Sequence, residues 1–428
     1  MRKAVLSWIF SLAVAQACAS DDSTMPCIGR TTWLAPNIYT LRLTVEDDPS
    51  RLPIINLDKD ERLEISFDDL THEYRRFTYR IEHCDFAGNN SEALFDTDYV
   101  SATAEETVIE DYETSDNTTV LYTHYSFTLP NTDVRPKLSG NYRLTISMEN
   151  DEGDLEVAAR TYFGVLGQKV FIYPSLTTDT EIDRNASHQQ LSLQIDMGSL
   201  NLRDADREIW TLVMQNHRLD NAVVNPRPTS QTGSKLFWEH DRELIFPAGN
   251  EFRKYECMST RYPGLHAESM RWFDPFYHCT LMTDRPKRNY IYDEDRNGLF
   301  VVRADGSGDE DIEADYVVTH FTLDTLPSEG RDIYVWGRWA TEGLTEKYKM
   351  KFDPKREVYE AALLLKTGYY NYQYLTTEAS APGVGETKYT EGDFFQAENE
   401  YSVLVYYCPL GGRYWQLVGL ASPTFKIK

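Results

Sequence analysis

The sequence predicts an all-β protein: three consecutive immunoglobulin-like antiparallel β-sandwich domains after a signal peptide. Three observations carry this. The 428 residues hold 28 Tyr, 19 Phe and 8 Trp, side chains that favour pleated strands over helices. Apolar and polar residues alternate with period two from end to end, the pattern of strands with one face buried and one wet. Polar turn clusters punctuate the alternation at short intervals, and sustained helical periodicity is absent.

Arg2 and Lys3 precede an apolar run from Ala4 to Ala15, and the small residues Ala15, Ala17 and Ala19 follow. This is the layout of a secretory signal peptide over residues 1–19. The run is too short to span a bilayer as a helix. Two cleavages fit: an ordinary A-x-A site, or lipidation of Cys18 ahead of Ser20-Asp21-Asp22, which resembles the acidic tag of some Bacteroidota lipoproteins. Gln16 suits a lipobox poorly, so the free chain is preferred. The six Cys show no C-x-x-C and no Cys/His cluster, so no metal site is expected. Cys84 and Cys408 read as isolated buried thiols. Cys257 and Cys279 are near enough in sequence to bridge neighbouring strands in an oxidising compartment.

The first sandwich is expected over 20–166. Phe77, Tyr79 and Ile81 alternate with polar partners, as do Leu144, Ile146 and Met148, and Arg160 to Val165 forms its last strand. Asp85 to Ser91 and Asn150 to Gly153 supply turns. Gly167-Gln168 reads as a hinge into a middle domain over 167–315, where Leu191, Leu193, Ile195 and Met197 continue the alternation. The acidic stretch Asp305 to Asp315 reads as a linker to the third sandwich, 316–428. Only short stretches such as Leu57 to Leu63 suit a helical turn.

The formal net charge of −25, from 43 basic and 68 acidic residues, excludes docking on nucleic acid, which needs clustered positive charge. Asp293-Glu294-Asp295-Arg296-Asn297-Gly298 matches the start of a calcium loop, but position twelve is Ala304 where a bidentate Glu is required. An Asn-Gly turn joining Ile291 to Val301 as a hairpin fits better. The pairs Asp68-Asp69 and Asp21-Asp22 read as solvated surface rather than a glycosidase pair. His83 and Cys84 are neighbours on a strand and point to opposite faces, so they make no nucleophile–base couple. No catalytic residue and no cofactor is expected.

Near the C-terminus, Tyr334-Val335-Trp336-Gly337-Arg338-Trp339, then Met350-Lys351-Phe352-Asp353, Val358 to Leu363 and Gly368-Tyr369-Tyr370-Asn371-Tyr372 resemble early-set immunoglobulin-like domains of the glycogen-binding type. Trp336 and Trp339 are the candidate interaction aromatics, for a sugar face, a protein partner or the core.

A second resemblance spans nearly the whole mature chain. It runs through Phe67-Asp68-Asp69-Leu70, Tyr79 to Asp85, Tyr122-Thr123-His124-Tyr125, Leu129-Pro130-Asn131 and Ser139 to Tyr142. It continues through Gln215 to Ala222, Pro247 to Arg253, Glu313-Ala314-Asp315-Tyr316, His320-Phe321 and Val405 to Leu410. In order, these resemble the plug proteins of the type IX secretion system of Bacteroidota. Leu219 stands where the family pattern suggests Trp, and Phe86-Ala87-Gly88 lacks a Trp. The resemblance implies a non-enzymatic periplasmic protein at the inner face of the outer membrane. Its expected partner is the outer-membrane translocon barrel, whose periplasmic opening it closes when idle. The alternative is a glycan-binding envelope lipoprotein that uses the Trp-bearing C-terminal domain.

Overall fold

The computed structural model describes residues 25–426 except 151, 199, 201, 307 and 329. The expected signal peptide and Cys18 lie outside the described residues. The alternating segments become strands in antiparallel sheets, as the composition demands. In the first unit, strands Ile38–Val45, Leu63–Asp69, Thr123–Leu129 and Asp111–Thr114 form one sheet. Strands Phe77–Cys84, Gly140–Glu149 and Leu155–Leu166 form the sheet facing it. Leu144 sits opposite Ile81 and Ile146 opposite Tyr79, so one face of each strand enters a core with Phe67, Phe77, Tyr125, Phe127 and Phe163. Each fully buried aromatic here contributes about 2–3 kcal/mol of transfer free energy.

Beyond this unit the chain is not divided where the sequence suggested. Leu166 pairs in parallel with Leu417, and Gly167 N–H donates to Leu417 O at 3.0 Å. The expected hinge is therefore clasped in a sheet. Strand Gln416–Ala421 pairs with Asn399–Tyr407, and that strand pairs with Ile209–Gln215, giving one 11-stranded sheet shared by the first and middle units. The physical reason is burial. Every residue of Ile209–Gln215 and nearly every residue of Asn399–Tyr407 is buried, and such strands need neighbours on both flanks and layers on both faces. One covering layer is the sheet of Phe171–Thr177, His188–Asp196 and Lys235–Trp238, with Leu191, Leu193, Ile195 and Trp238 in the core between.

The third unit is consequently an insertion into the middle one, spanning strands Arg253–Cys257 to Ala381–Glu386. One sheet centres on Gly368–Glu378, flanked by Arg253–Cys257, Phe300–Val302 and Arg331–Trp336. The other runs Ala267–Phe273, Phe276–Leu281, Tyr316–Leu323, Val358–Lys366 and Lys351–Asp353. The stretch expected to link two domains, Asp305 to Asp315, thus lies within this unit. The hairpin expected between Ile291 and Val301 does not form either. Asn297 and Gly298 do adopt the left-handed turn conformation, but Ile291 is exposed and Phe300–Val302 pairs with Gly368–Glu378 instead.

Candidate functional site

The motif residues singled out in the sequence converge where the first and third units meet. Asp68, near the end of strand Leu63–Asp69, is fully buried. Its Oδ2 accepts from Lys366 Nζ at 2.7 Å and from Tyr316 OH at 2.6 Å, both from the third unit. Its Oδ1 lies 2.6 Å from His124 Nδ1 on the neighbouring strand. Burial alone would push this carboxyl up, but Lys366 and His124 outweigh it and hold Asp68 below the usual carboxylate range. Lys366 also donates to Asp311 O at 2.6 Å and its ammonium lies 4.2 Å from the Tyr122 ring centroid. Asp68-Asp69 is thus not the solvated pair expected. Asp69, also buried, accepts from Asn37 Nδ2 and from Thr71 N–H and O–H.

The same seam is fastened at its rim. Arg42 donates to Asp311 at 2.6 Å, Asp315 accepts from the Thr119 and Val120 N–H groups, and Tyr122 OH donates to Ala314 O at 2.8 Å. The acidic stretch expected as a linker is therefore a wedge of hydrogen-bond acceptors against the first unit.

A second junction forms around Arg338, whose side chain is 9% exposed. It donates to Ser50 O of the first unit at 2.8 Å, Asn297 O of the third at 2.9 Å and Glu400 of the middle at 3.0 Å. Glu400 also meets His217 Nε2 at 3.3 Å. Burial and the Arg338 charge pull His217 down to about 4. The Pro247 to Arg253 motif joins the middle and third units: Asn399 Nδ2 donates to Ala248 O, Asn250 Nδ2 to Glu391 O, and Arg253 pairs with Glu391 and Asp284. Lys366 and Arg338 escaped the sequence reading. Their one signal was a charge closing the apolar run Leu363-Leu364-Leu365 and a charge set between two Trp.

Between the three units lies a cleft of about 1420 Å³, lined by Arg42, Leu43 and Arg51, by Leu219, and by Phe300 and Leu344 among others. Leu219, one departure from the family pattern, is part of this wall. Phe86, the other, stacks on Trp210 at 3.8 Å. The candidate aromatics are not presented for stacking. Trp336 is 6% and Trp339 9% exposed. Trp339 donates from Nε1 to Asn371 O at 3.2 Å and packs on Phe321, Tyr348 and Tyr370. Trp336 meets Phe252 and the Arg218 guanidinium. Of the three readings left open for them, the structure places both in the third unit's core.

Cys257 and Cys279 are free, buried thiols in one core. They belong to the two opposed sheets of the third unit rather than to neighbouring strands of the middle domain. His83 and Cys84 do diverge: His83 meets Ser91 Oγ at 2.8 Å and Ser139 O at 3.3 Å, while Cys84 packs on Cys27 and Tyr162. Gly140 is required beside His83, since a Cβ there would strike the His83 ring and Trp415 O. In the calcium-like loop, Asp293 pairs with Lys254 at 2.6 Å and Asp295 accepts from Phe252 and Asn297 N–H. Among the described residues no three His, Cys, Asp or Glu side chains are grouped to hold a metal ion, and no helix is long and apolar enough to cross a membrane.

A multi-sandwich body welded by buried interdomain ion pairs is the class this geometry defines. Residues 38–165 match the family described as type 9 secretion system plug protein 1st domain. The crystal structure at 2.30 Å resolution of a hypothetical protein from Parabacteroides merdae ATCC 43184 is similar throughout. It is 36% identical with a TM-score of 0.88, over 92% of this chain and 99% of that one. A collagen adhesin from S. aureus aligns at 9% identity over 91% of this chain and 92% of that one, but a TM-score of 0.12 carries no argument. No curated protein matches. By its first domain the chain belongs to the type IX secretion system plug family, which points to a role in type IX secretion.

Proposed function

We propose that this chain is a non-enzymatic periplasmic plug that closes the periplasmic opening of the outer-membrane translocon barrel while no cargo is in transit. The observation that carries the reading is the set of buried interdomain contacts at Asp68 and Arg338, found in a chain of the plug family. A stopper must resist deformation when seated, and three sandwiches joined by a shared sheet and charged seams give one stiff body. Release requires a moderate and fairly polar contact area rather than an obligate apolar one, which suits a surface of net charge −25. Seating that depends on charge is sensitive to salt, through the on-rate more than the off-rate.

The test is a deletion strain. Sensitivity to large antibiotics should rise while secreted cargo is retained, and the tagged protein should recover the barrel from envelope extracts. Loss of secretion with an intact barrier would refute the plug and indicate a motor component. Loss of growth on one polysaccharide with an intact barrier would revive glycan binding.

A further inference from the structure

Cys27 and Cys84 are far apart in sequence and were not paired by spacing. In the structure they share a closed buried cluster with Tyr162, at 2% and 0% exposure. The chain enters this cluster along a fixed path. Cys27 N–H donates to Phe86 O at 3.0 Å, and Asn141 Nδ2 donates to Cys27 Sγ at 3.3 Å. Asn141 is itself the cross-strand partner of Cys84, so one residue is tied to both cysteines, through its side chain to Cys27 and through the strand register to Cys84. From Cys27 the chain runs on into the arm Thr31–Leu34, which pairs with Leu155–Leu166.

We infer that Cys27 and Cys84 form a disulfide that fastens the N-terminal arm to the first sandwich. This rests on the secretory reading, because bridging requires an oxidising compartment. Each thiol loses a proton and the pair gives up two electrons. The new Sγ–Sγ bond forms as the S–S bond of a disulfide oxidant breaks, releasing its two sulfurs as thiols. In the folded protein Tyr162 and the surrounding strands bar an oxidant, and burial pushes the Cys84 thiol far up, away from the reactive thiolate. Oxidation therefore precedes closure of the cluster, and the bridge is a structural one made during folding. It closes a loop of about 58 residues, for which the chain-entropy relation gives roughly a thousand-fold gain in the folding constant.

The experiment unfolds envelope-purified protein in urea with an alkylating agent present and no reductant, then digests it and maps the peptides. The Cys27 and Cys84 peptides should appear joined and lighter by two hydrogens, with Cys408 alkylated as the internal free thiol. In parallel, protein refolded from urea in oxidised and reduced glutathione should form the bridge without any cellular compartment. The bridged form should resist urea about a thousand-fold better, in folding constant, than C27S/C84S. Alkylation of both thiols in both samples overturns the inference. Bridging in glutathione but not in the envelope sample, with residues 1–15 still attached, overturns the secretory reading and upholds the pair.

Discussion

Replacing Lys366 by Met tests whether the Asp68 cluster holds the first and third units together. Met keeps most of the stem and removes the ammonium, leaving Asp68 ionised and fully buried without its cation. Breaking a buried pair from one side costs about 3–5 kcal/mol, because the remaining charge stays desolvated. Asp68 keeps two contacts, Tyr316 OH at 2.6 Å and His124 Nδ1 at 2.6 Å, so the expected loss is near the low end, about 3 kcal/mol. Asp68→Asn alone strands the ammonium instead. In D68N/K366M neither charge remains, and stability should return to within about 1 kcal/mol of wild type, a coupling of about 2 kcal/mol or more. The pH dependence has a definite sign. Asp68 is held below its ordinary range, so its contribution is present above an unfolded value of about 3.9 and is lost as pH falls through the folded one. Wild type and K366M should therefore converge in acid. Urea unfolding followed by Trp fluorescence measures the cycle, and limited proteolysis shows whether the seam opens first. A K366M loss below about 1 kcal/mol, or a double variant as unstable as the sum of the singles, would refute the reasoning.

Two further outcomes concern the Arg338 junction and the third unit's core. His217 is drawn down to about 4 in the folded chain against about 6.5 unfolded, so its contribution is complete above pH 6.5 and is lost on acidification towards 4; H217N should flatten the stability–pH curve between pH 7 and 4.5 by about 2 kcal/mol, read by thermal melts across that range, and parallel curves would dismiss the linkage. Cys257 and Cys279 are both buried in the third unit's core, and in an oxidising compartment they should bridge and stabilise by about 3 kcal/mol, so C257S/C279S should melt lower than oxidised wild type but level with the reduced protein.

Alternation carried a good part of the fold. Phe77-Tyr79-Ile81, Leu144-Ile146 and Leu191-Leu193-Ile195 were readable as strands because side-chain direction reverses at every residue, a local property of extended backbone. Family motifs were readable as text, yet not as chemistry. Asp68 looked like solvated surface because a carboxylate reveals its burial only through its partners, and Lys366 lies some 300 positions away. For Trp336 and Trp339 the sequence left sugar face, protein partner and core open, because an aromatic ring serves a core as well as it serves a sugar.

Domain limits were the largest departure. A glycine after a strand suggests a hinge, and nothing local to Gly167 announces that Leu417 will pair beside it. Strand composition and alternation are patterns within a few residues, so they survive in one dimension. Strand order, the insertion of the third unit, the Asp68 and Arg338 junctions and the Cys27–Cys84 contact depend on which distant segments lose water together. That choice belongs to the packed chain, because the free energy of burying a charge or completing a sheet is defined only once both partners are in place.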